Sequence, residues 1–490
     1  MTPKLTSVDQ GQLDDEAIKQ RTVAGITSFL LRTVFLQVVT VIASVLVSRF
    51  LDPFAFGVYG VVANFVLLFV FFSDIGLAAA LVQKREDLTE DDLKTTFTVQ
   101  QTLVTFLVVL VFILLPFAQK ILKFGDDGLW LGRALAFSLL LASLKSIPSV
   151  LLERKLKFKQ LIIPEIVESL VFNGVLVGSA VMGMGIRSFT YAVLARGLAG
   201  LISIYIISPW RVSFGYKREV ASRLVRFGLP FQINSILAWF KDNLMDNVVA
   251  LLLHSPVAFG YLSWAKNLAY QPRKVMDSVI RVSFPAFSRL QDRRDTLSRA
   301  LSKTYFLLSV TMFPLIAGIC MLVKPLIVYL YGGDKWLPAI PSVYFFSGAL
   351  LWGLFNSVAI NTLSAIGKIK TVLKFMTMVT VATWVVTPPL TLLMGFNGAS
   401  LSLVLTGFVS LWSIRKCVEE VKVNIWQEIK GALMASVVMS LLLFVANQYY
   451  IHDLTRLFIT IAAGGLTYTA AIFLIEGKRL VQEVKSVLGK

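Results

Sequence analysis

Cysteine and histidine are nearly missing from this chain. Its 490 residues include two cysteines, Cys320 and Cys417, and two histidines, His254 and His452. So few and so dispersed, they build neither a disulfide framework nor a Cys/His metal centre. Nor does the chain contain a Gly-x-x-x-x-Gly-Lys-Ser/Thr phosphate loop, a His-Glu-x-x-His zinc helix or a Gly-x-Ser-x-Gly nucleophile turn. Nucleotide-driven work, zinc hydrolysis and serine hydrolysis thus lack their usual sequence signatures, and no cofactor is expected. Acidic residues are also scarce: 29 Asp and Glu face 47 Lys and Arg, a formal net charge of +18.

Apolar residues are abundant. They make up 56% of the chain, and the mean hydropathy is +0.74. They fall into runs of about 20 residues, the length of helix that crosses a bilayer core. The runs are continuous rather than alternating, which excludes a β-barrel. The pattern predicts an all-α polytopic membrane protein with about fourteen helices. They lie near 25–49, 57–82, 96–116, 129–151, 161–182, 188–208, 228–252, 257–287, 304–323, 339–366, 372–394, 398–414, 431–448 and 455–475. The run from Gly25 to Ser48 is too long for a signal-peptide core and reads as a retained span.

Counted over alternate loops, thirty-one Lys and Arg lie on the side of the N-terminus and six on the other. That asymmetry predicts cytoplasmic N- and C-termini. It also explains most of the basic excess without a nucleic-acid partner. The opposite loops are short, the longest running from about Lys324 to Pro338, and hold no separate domain.

One turn is written twice. "DPFAFGVYG" (52–60) reappears as "SPVAFGYLS" (255–263), so that Pro53 and Gly57 correspond to Pro256 and Gly260. With the same offset and no gap, Asn64 matches Asn267 and Asp74 matches Asp277. Six spans separate the copies, so both begin on the same side. This predicts two six-helix lobes related by a pseudo-two-fold parallel repeat, with two extra C-terminal helices. The expected divisions are a cytoplasmic segment 1–24, an N-lobe 25–208, a linker 209–227 and a C-lobe 228–414. A cytoplasmic loop 415–430, helices 431–475 and a tail 476–490 complete the chain.

Ten Lys and Arg remain inside spans. Arg49, Arg133, Lys145 and Arg281 lie close enough to span ends to snorkel. Arg32, Arg196, Lys241, Lys266, Arg273 and Lys274 lie deeper, where a lipid-facing charge costs roughly 2.5–3.5 kcal/mol. They are candidate lumen cations, and Asp74, Asp242, Asp246 and Asp277 are candidate lumen acids for ion coupling. Asn64, Asn267 and Tyr270 are candidate polar lining. In "YLSWAKNLAYQPRKVMDSVIR" (261–281), Lys266, Tyr270, Arg273 and Asp277 share one helical face, and Pro272 should kink the helix and free the Leu268 carbonyl. Both internal ion pairs and a hydrated site for an anionic head group fit such a face.

"FGVYG" with "FSDIGLAAALVQKRED" (72–87), "RVSFPAFSRLQD" (281–292) and "YGGDKWLPAIP" (331–341) resembles the polysaccharide transporter family. These are the Wzx-type flippases of the multidrug/oligosaccharidyl-lipid/polysaccharide exporter superfamily. The resemblance implies a flippase with twelve core helices that moves undecaprenyl-pyrophosphate-linked repeat units from the inner to the outer leaflet. It implies a lipid-linked anionic oligosaccharide and the lipid bilayer as partners, and leaves polysaccharide polymerase machinery as a further one. The alternative within the superfamily is a multidrug or metabolite cation antiporter, which should favour an acidic or apolar cavity. An enzyme is not expected, since no Asp-x-Asp motif and no large outer loop is present.

Overall fold

The computed structural model describes residues 35–70, 72–73, 76–84, 86–155, 157–223 and 244–487. Among the described residues the regular structure is helical, with no β-strand. Among the described residues, ten helical stretches are long and apolar enough to cross a membrane. The protein is a multi-pass helical membrane protein. The described residues form two compact units, the first lying within 1–47, 66–116 and 129–237 and the second within 48–65, 117–128 and 238–490.

Most of α1 (Phe35–Phe50) belongs to the first unit, with the far end of α2 (Pro53–Val70), α3 (Leu77–Gln83) and most of α4 (Glu90–Leu122). The start of α4 is a capping box. Thr89 Oγ1 accepts from the Asp92 amide at 3.2 Å, and Asp92 Oδ2 accepts from the Thr89 amide at 2.9 Å. Asp92, 1% exposed, also takes Lys84 Nζ at 2.5 Å and an Arg223 Nη at 2.7 Å. Next come α5 (Gly125–Leu144), α6 (Ser146–Arg154), α7 (Phe158–Val181) and α8 (Arg187–Ile207). Segment 209–217 leaves α8 and lies along α4, where Phe97 meets Trp210 and Phe214 and the Gly215 and Lys217 amides donate to Thr98 and Thr95. The start of the expected linker is therefore packed into the first unit.

The second unit holds α9 (Leu244–Leu253), α10 (Pro256–Ala269), α11 (Arg273–Arg289), α12 (Arg294–Pro325) and α13 (Ile340–Ala365). It continues through α14 (Ile369–Gly407), α15 (Ser410–Glu420), α16 (Ile425–Tyr449) and α17 (Leu454–Val487). Its core joins α12 to α13, α16 and α17 through Tyr305, Leu308, Leu354, Met439 and Leu457. The last two helices are tied in by polar contacts as well. Tyr468 donates to the Val310 carbonyl at 2.7 Å, Asn447 donates to the Met321 carbonyl at 3.2 Å, and Arg479 pairs with Glu428 while lying 4.3 Å over the Phe306 ring.

One expectation changes. The run 257–287 is two helices, because the chain turns at Tyr270–Pro272 and restarts at Arg273. The Leu268 carbonyl accepts the Gln271 amide at 3.4 Å, so the break caps itself. Spans 372–394 and 398–414 are separate as expected: within α14 the chain reverses at Gly395 (φ 60°, ψ −141°), and Thr387 Oγ1 on one side lies 2.9 Å from Ser402 Oγ on the other. Residues 48–65 pack with the second unit.

Candidate functional site

The repeated turn shows what its letters do. Asp52 Oδ1 accepts the Ala55 amide at 2.9 Å, and Ser255 Oγ accepts the Ala258 amide at 3.3 Å. Each is an N-cap followed by a proline, whose missing N–H costs nothing in the first turn. The two helices then cross at their glycines. A methyl group at Gly57 would overlap the Pro256 carbonyl, and one at Gly260 would overlap the Pro53 carbonyl.

Around this crossing lies the "YGGDKW" segment. Trp336 is fully buried, stacks on Trp264 at 4.8 Å and meets Phe56 edge-on at 5.1 Å. Its Nε1 donates to the Ser48 carbonyl at 3.0 Å, while Trp264 Nε1 donates to Ser48 Oγ at 3.1 Å. Lys335 Nζ donates to the carbonyls of Arg49 and Leu51, both at 2.8 Å. Those carbonyls at the end of α1 lack intrahelical partners, and a lysine there also complements the helix dipole. Gly332 (φ 94°) permits the approach, since a Cβ there would meet the Arg49 backbone at 2.8 Å. Ring contacts and hydrogen bonds thus hold Ser48–Leu51 against Trp264, Lys335 and Trp336.

The sequence-predicted charges meet partners of opposite sign. In the second unit Lys266 on α10 meets Asp246 on α9 at 2.8 Å, each side chain about two-fifths exposed (40% and 37%). Arg273 lies 5.8 Å over the Tyr270 ring and 3.9 Å from Asp277, and Tyr270 rests edge-on against Phe346 at 5.5 Å. Lys274 and Asn267 are exposed beside this break, and Asn64 is half-buried on α2. In the first unit Arg196 Nε on α8 donates to Glu168 Oε2 on α7 at 3.3 Å, and Lys145 pairs with the other oxygen, Oε1. Lys145 is thus drawn inward to a carboxylate rather than snorkelling. Arg32, Asp74, Lys241 and Asp242 lie outside the described residues.

Glu168, like Glu165 one turn before it, is a residue the sequence reading overlooked. It stands mid-run in 161–182 ("LIIPEIVESLVFNGVLVGSAVM"). An intramembrane acid is a functional candidate by the same rule that singled out the four aspartates. Among the described residues no cluster of three or more His, Cys, Asp or Glu side chains could hold a metal ion.

Fold and charges together define a polytopic helical membrane protein with ion pairs between its helices. Residues 46–341 match the family model described as polysaccharide biosynthesis protein, and the chain belongs to that family. The chain is 26% identical over 336 residues to an uncharacterized membrane protein in the cps region of Klebsiella pneumoniae, covering 67% of each chain. It is 25% identical over 349 residues to lipopolysaccharide biosynthesis protein WzxC of Escherichia coli K12, covering 66% of each. It is 23% identical over 299 residues to the succinoglycan biosynthesis transport protein ExoT of Rhizobium meliloti 1021, covering 60% of this chain and 59% of that one. In fold it is similar to the lipid II flippase MurJ in an inward closed conformation, with TM-score 0.73 and 16% identity over 93% of this chain and 100% of that one. An inward-facing multidrug-resistance MATE transporter follows, with TM-score 0.59 and 14% identity over 79% of this chain and 96% of that one.

Proposed function

We propose that this protein is a lipid-linked oligosaccharide flippase that carries undecaprenyl-pyrophosphate-linked polysaccharide repeat units from the inner to the outer leaflet of the plasma membrane. The observation that carries this reading is Arg196. Its side chain is 56% exposed midway along a helix long and apolar enough to span the membrane. A guanidinium kept there against its insertion cost is suited to a diphosphate, which it can grip with two parallel N–H donors. Lys266 and Arg273 supply further cationic side chains in the second unit. WzxC and ExoT, named for lipopolysaccharide biosynthesis and succinoglycan transport, support the same substrate class.

Transport proceeds by alternating access, with residues 25–208 and 228–414 acting as two lobes. The matching caps at Asp52 and Ser255 support the repeat. Both termini are cytoplasmic in this reading, following the loop charges. No bond is made or broken. A head group of charge −2 moving outward is driven by an inside-negative potential, about 2.3 kcal/mol per charge per 100 mV. Polysaccharide polymerase machinery on the outer face is the partner that consumes the product.

The experiment is a flipping assay in liposomes with a fluorescent undecaprenyl-pyrophosphate-linked oligosaccharide. Wild type is expected to move it, and Arg273→Ala to lose at least about tenfold in rate if a charge-assisted contact is removed. No movement with any glycan, together with cation-driven efflux of small cationic drugs, overturns the reading in favour of the antiporter.

A further inference from the structure

Three helical elements of the first unit converge on one carboxylate. Lys145 sits at the junction of α5 and α6, Glu168 on α7 and Arg196 on α8. Glu168 is 13% exposed and divides its two oxygens between the two cations. Its place beside α8 depends on Gly200, where a Cβ would overlap the Glu168 carboxylate. The Arg196 guanidinium lies 5.8 Å over the Phe172 ring, which orients its plane.

Two features distinguish this cluster from the one-to-one pairs of the second unit. First, two cations share one acid, so the trio carries one net positive charge inside the membrane. Glu165, one turn earlier on α7, has its own interactions. Second, the arginine is engaged side-on. Only Nε donates to Glu168, and the Nη donors have no hydrogen-bond partner among the described residues. Arginine holds a carboxylate most firmly with two parallel N–H groups. Here that fork is left for another oxyanion, while the carboxylate limits the cost of keeping two cations within the bundle in its absence.

We infer that Lys145, Glu168 and Arg196 form an anion-exchange site in which Glu168 is the resident counter-anion and the diphosphate group of the substrate displaces it from Arg196 and Lys145. The inference rests on the flippase reading and adds the site and the way it is kept ready. Glu168 competes with the ligand it prepares for. Removing its charge therefore strengthens diphosphate binding, whereas removing either cation weakens it. A merely structural trio gives the opposite sign for Glu168.

The test is binding to the full chain in nanodiscs, with two probes: undecaprenyl pyrophosphate in the bilayer and inorganic pyrophosphate in solution. Wild type is compared with Glu168→Gln, Arg196→Gln and Lys145→Gln. Glu168→Gln is expected to bind about threefold to tenfold tighter, and the two cation variants about tenfold weaker. Where Glu168→Gln does not insert, Glu168→Asp serves, since a shorter carboxylate releases one cation and shifts affinity the same way by a smaller factor. Either probe showing this ranking supports the site. The lipid alone showing it assigns the ligand to a lipid head group, and both showing it assigns recognition to the diphosphate itself. Equal or weaker binding by Glu168→Gln and Glu168→Asp overturns the exchange site while wild-type binding and flipping stand. A wild type that binds neither probe overturns the flippase reading along with it.

Discussion

Gly57 and Gly260 press against each other's helix starts: each glycine lies where any side chain would strike the carbonyl oxygen of the other helix's first proline. The contact is reciprocal, so one Cβ on either side spoils the whole crossing. Overpacking of a tight contact costs about 1–3 kcal/mol. Gly57→Ala and Gly260→Ala should each lower the thermal midpoint in detergent, and the double variant should lose little more than either single one. Full additivity of the midpoint losses would mean that the two glycines answer to different neighbours.

Trp336 and Lys335 act on the same helix end by different means. Trp336→Phe keeps most of the stack on Trp264 but strips the donor from the buried Ser48 carbonyl, at a cost of about 1–3 kcal/mol. Lys335→Met removes a donor shared by Arg49 and Leu51, but at a site water can reach, and should cost less. Hydrogen exchange at the end of α1 is the measurement. Protection should fall more for Trp336→Phe than for Lys335→Met, and the reverse order would make the lysine the principal cap.

Asp92 tests the same logic with charge. Its carboxylate is 1% exposed and Lys84 is mostly covered, whereas Arg223 is 55% exposed. Breaking a buried pair by deleting one partner costs about 3–5 kcal/mol, and an exposed partner contributes about 0–1 kcal/mol. Asp92→Ala should therefore unfold the start of α4 and release segment 209–217 to proteolysis. Arg223→Ala should leave limited proteolysis nearly unchanged. Comparable cleavage in both variants would place the arginine in the latch on equal terms.

Much of this was legible in the letters because it is local. Asp-Pro and Ser-Pro before Ala-Phe-Gly announce caps three residues long, and runs of about 20 apolar residues announce spans. The charge partners were legible only where a helical repeat joins them, as with Arg273 and Asp277. Lys145, Glu168 and Arg196 lie on elements whose approach depends on packing, so no spacing announces them. Glu168 itself was visible and passed over as one polar letter in an apolar run. The break at Tyr270–Pro272 was half legible: the proline marks the place, and the structure adds that two separate helices flank it, with the Leu268 carbonyl accepting the Gln271 amide. At Gly395 the letters suggest a break between two spans, and the chain turns there through a glycine-only conformation and begins a second helix that folds back on the first.

Lys266 and Asp246 separate structure from transport. They meet at 2.8 Å with both side chains partly exposed, so as a pair they contribute little to stability. Lys266→Asp places two carboxylates together and should lower both folding yield and flipping. Adding Asp246→Lys restores an ion pair with its charges exchanged. If the pair matters only as a tie between α9 and α10, the swapped protein should recover both stability and flipping. The proposed function requires the cation on α10, beside Tyr270 and Arg273 at the helix break, so the swap should recover stability and leave flipping at least about tenfold below wild type, the cost of one charge-assisted contact. Thermal midpoint and flipping rate measured on the same preparation decide it. Recovery of both would make Lys266 a structural residue and leave head-group recognition in the second unit to Arg273.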